Sequence, residues 1–373
     1  MRIAVLAHPR HPIRPPFMGG MEAHVYHLTR ELRARGHEVD LFAAGDSEPS
    51  NGVRLRAVLP RHYEVDFPWR AYRGTRALGD YLDAAFARMG AELVAGGYDV
   101  VHNNTLHPLP PRLARTHRLP LVTSLHVPAF RALREAVAAN LAPWVRATAT
   151  SRSHAASYWP EDGGLPPGVH VVHNGIDASA WPARRRGDGT VVWSGRIART
   201  KAPHLALDAA RLAGLPITLY GPVEEADYFA ESVRPRLGAE AVYGGHLRAR
   251  DLAAALASAS VFAFTPMWDE PFGLAAVEAM ACGLPVASFD RGAAREIVGE
   301  RAGRFAAAGD VAGLAQAMLD SLGIDPVLPR RRVAERYTIE RMVCGYEAAY
   351  ALARRGSRSG LSDAFGEALR VRA

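Results

Sequence analysis

Two glutamates in the second half of the chain lie on either side of an expected helix start. Glu270 precedes Gly273, where the helical pattern begins, and Glu278 falls near the end of the second turn. Free backbone N–H groups at a helix start attract anions, and glycine allows a ligand to approach the backbone closely. Glu278 has apolar neighbours, so its carboxylate needs partners such as ligand hydroxyls. Alternatively, Glu270 is a loop charge and Glu278 a solvated helix residue.

Two basic side chains, Arg196 and Lys201, follow the strand-like run 191–194 and Gly195. Lys201 is the only lysine among 45 basic residues. Where arginine is the default cation, a retained lysine indicates a site that needs a compact ammonium, although chance retention is the alternative. Arginine can bridge two oxygens of an anion while lysine acts as a point charge, so the two can converge on one anion. A surface turn is the other interpretation.

Further candidate residues lie where other strand-like runs end. Gly19 and Gly20 precede the first helix and could form a second anion or ligand cradle. His126 comes directly after the run 121–125, although a histidine in such a position can also be structural. The remaining candidates, which also lie near a strand end or the first helix, are Arg14, Glu22, His102, Asn103, His246 and Leu247.

Strand-like and helical patterns alternate along the chain, which indicates an α/β fold with parallel sheets and crossover helices. Ligands in such sheets bind beyond the carboxyl ends of the strands, where these candidates fall. The predicted strands are 3–7, 39–43, 53–58, 100–102, 121–125, 169–172, 191–194, 217–220, 241–243, 261–264 and 285–289. The predicted helices are 22–35, 69–89, 130–145, 204–213, 251–257, 274–281, 311–322 and 339–354.

The pattern is interrupted over residues 177–189, which contain Arg184, Arg185 and Arg186 and are typical of an exposed linker. We therefore expect two Rossmann-like domains whose parallel sheets face each other across a cleft. The predicted domains are 1–182 and 183–349.

The segment Glu270-Pro271-Phe272-Gly273-Leu274, with Glu278 and the exit Gly283-Leu284-Pro285-Val286, resembles the glutamate-x7-glutamate motif of the family 4 retaining glycosyltransferases, which have the GT-B fold. Gly195, Arg196 and Lys201 resemble the Gly-Arg…Lys pair of the same family.

The resemblance implies a role for each matching residue. Arg196 and Lys201 would bind the donor diphosphate, and Glu278 the nucleotide ribose. Glu270, with the backbone of Phe272, Gly273 and Leu274, would hold the hydroxyls of the transferred sugar, which His126 would also contact. Gly19 and Gly20 would lie near the donor phosphate, and His246 and Leu247 near the base. Arg14, Glu22, His102 and Asn103 would line the acceptor side. The resemblance also implies that the domain 1–182 binds the acceptor, that the domain 183–349 binds the donor, and that the segment 350–373 packs back on the first domain.

The resemblance also implies the reaction, which is transfer of a sugar from a UDP- or GDP-sugar to a hydroxyl of an acceptor, with retention of configuration. The catalytic residues would be Arg196, Lys201, Glu270 and His126. No Asp-x-Asp is present, and we expect neither a metal nor a cofactor. Covalent catalysis by Glu270 is an alternative mechanism. The alternative functions are a nucleotide-sugar epimerase of the same fold, a non-catalytic nucleotide-sugar-binding protein and a carbohydrate phosphorylase.

Composition limits the possible partners. The net charge of +7 favours anionic ligands, but the basic residues form no aromatic-interleaved stripe, so nucleic acid is not expected. Cys282 and Cys344 are not closely paired, the first apolar run is too short for a signal peptide, and no run approaches a membrane span. These features predict a cytoplasmic protein. The arginine-bearing stretch 69–89 could contact an anionic membrane or acceptor, or be a solvated face.

Overall fold

The computed structural model describes residues 1–160, 164–183 and 187–370, with side chains of the last helix described as far as residue 358. Arg184, Arg185 and Arg186 of the predicted linker, and the end of the chain from residue 371, lie outside the described residues. The chain forms two compact units. Unit 1 comprises Met1–Thr150, Ala155–Val172 and Met342–Ala373, and unit 2 comprises Ser151–His154 and His173–Arg341.

Unit 1 contains a seven-stranded parallel sheet in the order β3-β2-β1-β4-β5-β6-β7. The strands are β1 (Arg2–Leu6), β2 (Glu38–Ala44), β3 (Arg54–Leu59), β4 (Val100–Asn103), β5 (Leu121–Leu125), β6 (Val145–Ala149) and β7 (Val169–Val171). The helices along this part of the chain are α1 (Gly20–Ala34), α2 (Trp69–Tyr72), α3 (Arg76–Ala95), α4 (Leu109–His117), α5 (Arg131–Asn140) and α6 (Arg152–Tyr158).

Unit 2 contains a six-stranded parallel sheet in the order β10-β9-β8-β11-β12-β13. The strands are β8 (Val191–Ser194), β9 (Ile217–Tyr220), β10 (Ala241–Tyr243), β11 (Val261–Phe264), β12 (Val286–Phe289) and β13 (Gly303–Ala306). The helices are α7 (Pro203–Ala213), α8 (Ala226–Tyr228), α9 (Ala249–Ser258), α10 (Leu274–Ala281), α11 (Ala294–Val298), α12 (Val311–Ser321) and α13 (Val327–Arg336). The α/β class with two parallel sheets is confirmed.

The last helix, α14 (Ile339–Arg370), begins in unit 2 and continues into unit 1. Tyr346 and Tyr350 on this helix are fully buried. The hydroxyl of Tyr350 hydrogen-bonds Nδ1 of His102 in β4 at 2.6 Å, and Arg354 pairs with Asp99 at 2.7 Å. Tyr346 and Tyr350 of the C-terminal segment are thus part of the core of unit 1.

Two predicted helices of unit 1 differ from the sequence pattern in the structure. The stretch predicted as one helix over 69–89 is two helices, because Gly74 adopts a φ of +77° and Thr75 caps the new start at Leu78 N. The helix predicted over 130–145 ends at Asn140, and Val145 begins β6. Two of the five residues of β6 are alanines, which have low strand propensity, so no strand was predicted there.

Both sheets change winding direction at a central strand. In unit 1 the strand order reverses between β1 and β4, and in unit 2 between β8 and β11. A crevice opens beyond the carboxyl ends of the strands at such a switch point, and ligands of open α/β sheets bind there. Within the described residues, no helix combines the length and apolarity required to cross a membrane.

Candidate active site

The carboxyl ends of β8 and β11 place two functional segments at the switch point of unit 2. Arg196 and Lys201 lie in the turn after β8, and Glu270 lies in the loop between β11 and α10. Because β8 and β11 are hydrogen-bonded neighbours, both segments leave the sheet at the same edge.

Lys201 and Glu270 form an ion pair between Nζ and Oε2. The lysine side chain is 18% exposed and the glutamate side chain 9% exposed, so the pair is largely shielded from water. The two residues are 69 positions apart in the chain. The structure thus brings together a cation and a carboxylate that the sequence placed in two separate motifs.

Trp268 is a third member of this cluster that the sequence did not predict. Its indole Nε1 donates a hydrogen bond to Oε2 of Glu270 at 2.7 Å, and its ring centroid lies 5.1 Å from Nζ of Lys201. One carboxylate oxygen therefore accepts from both donors, which fixes the orientation of the glutamate. The sequence signal that could have indicated Trp268 is its position two residues before the candidate carboxylate Glu270.

The turn that carries Lys201 is held by the loop after β11. The hydroxyl of Thr265 donates to the carbonyl oxygen of Lys201 at 2.8 Å and accepts from Trp193 Nε1 at 3.0 Å. The backbone N–H of Met267 also donates to the carbonyl of Thr200 at 2.8 Å. These bonds fix the lysine turn relative to the segment that bears Glu270.

Arg196 is paired with Glu224, which the sequence did not indicate as a functional residue. Both side chains are about one-third exposed, at 35% and 30%. Each of the two predicted diphosphate ligands, Arg196 and Lys201, is thus held by a carboxylate of its own, and no direct contact joins them among the described contacts.

Gly273 is the N-terminal cap of α10 and has a φ of +92°. A Cβ at this position would lie 2.7 Å from Cζ of Phe264, closer than real Cβ contacts allow. Glycine is therefore required both by the left-handed conformation and by the close approach of the Phe264 ring. The free N–H groups of the first turn follow directly, beside the loop that carries Glu270.

Glu278 occupies the second turn of α10, and its side chain is partly buried. The carboxylate has no hydrogen-bond or ion-pair partner among the described residues. Burial raises its pKa to about 8, because the charged form loses contact with water and gains no compensating donor. A buried carboxyl group that has no protein partner can exchange hydrogen bonds with the hydroxyls of a ligand.

The other predicted donor residues of unit 2 lie in the loop after β10. His246 is exposed and Leu247 is partly buried. Gly245 adopts a φ of +79°, and its carbonyl accepts from the backbone N–H of Gly221 at 2.9 Å. This bond ties the loop to the end of β9.

In unit 1, Gly19 caps the N-terminus of α1 and Gly20 is its first residue. The carboxylate of Glu22 is buried close to Gly19, and its Oε2 lies 3.0 Å from the position that a Cβ on Gly19 would take.

His126 of unit 1 follows β5. Its Nε2 hydrogen-bonds Oδ1 of Asn104 at 2.9 Å, and its ring centroid lies 4.7 Å from that of His24.

Three predicted acceptor residues have partners of their own. His102 and Asn103 are fully buried, and Arg14 forms an exposed pair with Glu48 at 2.7 Å.

Burial, with the nearby His126, lowers the pKa of His102 to about 3. Its two ring nitrogens hydrogen-bond the hydroxyls of Tyr350 and Ser124 at 2.6 and 2.7 Å. Asn103 accepts from the backbone and side chain of Thr105 at 3.0 and 2.7 Å. His102 and Asn103 therefore hold the end of β4 in place.

Comparison with known proteins decides the family. The model of Glycosyltransferase Family 4 matches residues 18–180, and the model of Glycosyl transferases group 1 matches residues 188–323. A glycogen synthase of Mycobacterium tuberculosis is 30% identical over 85% of this chain and 86% of its own. The chain belongs to glycosyltransferase family 4. The family predicted from the motifs is therefore confirmed.

Other proteins similar to this glycosyltransferase differ from the glycogen synthase in their described activity. A phosphatidyl-myo-inositol mannosyltransferase of Mycobacterium leprae is 29% identical over 85% of this chain and 87% of its own. The crystal structure of Anabaena HepE in complex with UDP-glucose superposes with a TM-score of 0.70 at 16% identity, covering 94% of this chain and 99% of that one. The likeness to HepE shows a shared GT-B fold.

Within the described residues, no group of three or more His, Cys, Asp or Glu side chains is arranged to hold a metal ion.

Proposed function

We propose that this glycosyltransferase moves a sugar from a nucleotide-diphosphate sugar to an acceptor hydroxyl with retention of anomeric configuration, and that unit 2 binds the donor. The observation that carries the proposal is the Lys201–Glu270 pair beside the start of α10, at the switch point of the sheet. It places an ammonium, a carboxylate and free backbone N–H groups together. A nucleotide-sugar donor uses all three kinds of group. The ammonium and the N–H groups can bind its diphosphate, and the carboxylate can accept hydrogen bonds from its sugar hydroxyls.

Lys201 and the first turn of α10 bind the diphosphate, and Arg196 supplies a second positive charge. Negative charge grows on the diphosphate as the bond to the sugar breaks, so these groups bind the transition state more strongly than the ground state. The cations of the chain supply this stabilisation, and the proposed step needs no metal. The carboxyl group of Glu278 hydrogen-bonds the ribose hydroxyls.

Glu270 holds the transferred sugar. Its Oε2 is already engaged by Lys201 and Trp268, which leaves Oε1 to accept from a sugar hydroxyl. A carboxylate held by two donors is a weaker nucleophile than a free one, which argues for binding over covalent catalysis. His126 in unit 1 is proposed as a further contact to the sugar.

The reaction is then a displacement at the anomeric carbon on one face of the sugar. The bond from the anomeric carbon to the phosphate oxygen breaks, and its electron pair leaves with the nucleoside diphosphate. The acceptor oxygen forms the new bond from the face of departure and transfers its proton to the leaving phosphate oxygen. The UDP-glucose complex of HepE supports UDP as the nucleotide.

Two measurements test this proposal. Release of nucleoside diphosphate from UDP- and GDP-sugars, with and without acceptors, should depend on the acceptor. A nucleotide-sugar epimerase would convert the donor without one, and a binding protein would not turn it over. The anomeric configuration of the product, read from proton NMR couplings, should match that of the donor. An inverted product would contradict retention.

A further inference from the structure

The turn that bears Arg196 is joined to the loop after β9 by backbone hydrogen bonds. The N–H of Ile197 donates to the carbonyl of Pro222 at 2.8 Å, and the N–H of Glu224 donates to the carbonyl of Ile197 at 3.3 Å. Ile197 and Val223 thereby continue the parallel pairing of β8 and β9 beyond the ends of these strands. The backbone of Glu224 is therefore fixed to the residue that follows Arg196.

The same two segments approach each other closely at a pair of glycines. Gly221 has a φ of +139°, and a Cβ there would lie 1.8 Å from the carbonyl oxygen of Gly195. The N–H of Gly195 also donates to the carbonyl of Tyr220 at 3.0 Å. Only glycine permits this approach, so Arg196 and Glu224 extend from two backbone segments that are held against each other.

The side chains of Arg196 and Glu224 meet across this joint. Nη1 of the arginine donates to Oε2 of the glutamate. Among the contacts of the described residues, neither Nε nor Nη2 of the arginine has a hydrogen-bond partner. These two nitrogens form the side of a guanidinium that can bridge two oxygens of one anion. The glutamate thus engages one end of the guanidinium and leaves its bidentate side available.

A held arginine binds a ligand at a lower entropic cost than an unheld one. Arg196 is 35% exposed, and a long side chain at such a position samples many rotamers unless a neighbour restrains it. A restraint that exists before the ligand arrives avoids the cost of ordering the side chain on binding. Glu224 supplies this restraint to Arg196, as Glu270 and Trp268 do to Lys201.

We propose that Glu224 is a positioning residue for the donor diphosphate, because it holds Arg196 by Nη1 and presents the Nε and Nη2 side to the phosphate oxygens. The inference rests on the proposed function, in which Arg196 supplies a positive charge to the diphosphate. It adds the loop after β9 to the site, where no residue of the segment 221–225 was predicted as functional from the sequence.

A carboxylate beside a diphosphate-binding arginine could also have the opposite effect. If Glu224 competed with the phosphate for the guanidinium, or repelled it, removal of the carboxylate would strengthen binding. In the proposed arrangement the guanidinium lies between the carboxylate and the phosphate, and both side chains are accessible to water and salt, which screen the repulsion. The two roles therefore predict changes of opposite sign for one substitution.

Binding of UDP and of GDP, measured by isothermal titration calorimetry, tests the inference and requires no acceptor. Their diphosphate carries the charge that develops when the bond to the sugar breaks. Glu224→Ala should raise the Kd of the nucleoside diphosphate that the wild type binds about tenfold, which is within the range of one charge-assisted contact. Glu224→Gln keeps an acceptor oxygen at the same reach and should stay within about threefold of the wild type.

A double-mutant cycle shows whether Glu224 acts through Arg196. Arg196→Ala alone should raise the Kd about tenfold or more, and adding Glu224→Ala should change it by less than about twofold. A glutamate that only stabilised its loop would weaken binding in both backgrounds. The melting temperature of each variant shows whether it is folded. If Glu224→Ala does not fold, Glu224→Asp takes its place, since the shorter side chain keeps the charge and loses the contact, and it should raise the Kd at least about threefold.

Glu225→Ala is the matched control. Glu225 is the next residue of the same loop, its side chain is 29% exposed against 30% for Glu224, and it pairs with Arg199 at 3.5 Å. The substitution removes an equal charge from nearly the same place but leaves Arg196 held. It should change the Kd by less than about twofold.

Four results would overturn the inference alone: tighter binding by either the Ala or the Gln variant of Glu224, an unchanged Kd in folded Glu224→Ala, an equal loss in Glu225→Ala, or a full further loss when Glu224→Ala is added to Arg196→Ala. A wild-type chain that binds neither UDP nor GDP would instead contradict the proposed function, and the inference with it. The same holds for a folded Arg196→Ala chain with wild-type affinity.

Discussion

Oxygen Oε2 of Glu270 accepts from an ammonium and an indole at once. A carboxylate oxygen with two fixed donors cannot rotate freely, so the direction of Oε1 is set before a ligand arrives. Preorganisation of this kind lowers the reorganisation cost of binding. The arrangement makes Trp268 a positioning residue for both Glu270 and Lys201.

Trp268→Phe tests this role, because it keeps an aromatic ring near Lys201 and removes the indole donor. A lost hydrogen bond to a charged group costs about 1.5–3 kcal/mol, so kcat/KM for the donor should fall roughly tenfold or more. Trp159→Phe, in unit 1, is the control and should change kcat/KM little. A folded Trp268→Phe enzyme with the kinetics of the wild type would show that the contact is dispensable.

The carboxyl of Glu278 makes stability depend on pH. Its pKa is raised from 4.5 to about 8 in the folded chain, so between these values the folded state retains a proton that the unfolded state has released. Stability therefore falls as pH rises through this window. Glu278→Gln carries no such charge, and its free energy of unfolding relative to wild type should increase from about pH 5.5 to about pH 8.5 in urea titrations without ligand.

An equal difference between Glu278→Gln and wild type at both pH values would contradict the assignment. Donor binding should respond in the opposite sense, because the same variant loses a strong acceptor for the ribose hydroxyls. Stability gained and affinity lost in one substitution is the usual trade at a functional site.

At the scale of the element, the start of α10 depends on one glycine. Gly273→Ala would place a Cβ against the ring of Phe264 in a left-handed conformation, which should lower the free energy of unfolding by about 1–3 kcal/mol and raise the donor KM. Gly79→Ala is the control, since Gly79 lies inside α3 with open space around it. Alanine there should stabilise the chain by about 0.5–1 kcal/mol. Equal thermal unfolding of the two variants would contradict the account.

The strands of unit 2 were largely predictable from sequence because their apolar runs are short and bounded by clear turn signals. The structure has β8, β9 and β11 at the predicted bounds, and α10 begins after Gly273 as predicted. Strand β13 (Gly303–Ala306) was missed, because its sequence is Gly-Arg-Phe-Ala and only the phenylalanine favours a strand. Packing against β12 decides its conformation.

The site was predictable residue by residue but not as an arrangement. Lys201 and Glu270 each stood out by type and position, yet their pairing joins segments 69 residues apart. Trp268 and Thr265 were missed because an indole or a hydroxyl gains its role only from its partner in the folded chain. The same limit applies to His102, whose partners come from β5 and α14.

At the scale of the whole molecule, the two sheets share one plan, in which the strand order reverses at a central strand. The two units are not separated by a single boundary along the sequence, since Ser151–His154 belongs to unit 2 and the segment from Met342 belongs to unit 1. Each unit is therefore completed by residues distant in sequence. Local sequence patterns do not predict such exchanges, and the return of the C-terminal segment was expected only from the family resemblance.

Tyr350→Phe tests the contribution of the C-terminal segment. It leaves Nδ1 of the buried His102 without its partner, which should lower the free energy of unfolding by about 1–3 kcal/mol. Tyr72→Phe, at an exposed tyrosine, should stay within about 0.5 kcal/mol of the wild type. Donor affinity, which we assign to unit 2, should not change. A Tyr350→Phe chain as stable as the wild type would show that the segment contributes little.

The central claim is that Lys201 binds the diphosphate of the donor, and one measurement tests it most directly. Steady-state turnover of the nucleotide sugar is compared between the wild type, Lys201→Ala and Arg199→Ala, a control in the same turn whose cation is more exposed. Loss of a charge-assisted contact costs about 1.5–3 kcal/mol, so Lys201→Ala should lose roughly 10–150-fold in kcat/KM. Arg199→Ala should stay within about threefold, and Lys201→Arg should also be impaired, because a planar guanidinium does not replace a compact ammonium. A folded Lys201→Ala enzyme with near-normal turnover would contradict the claim.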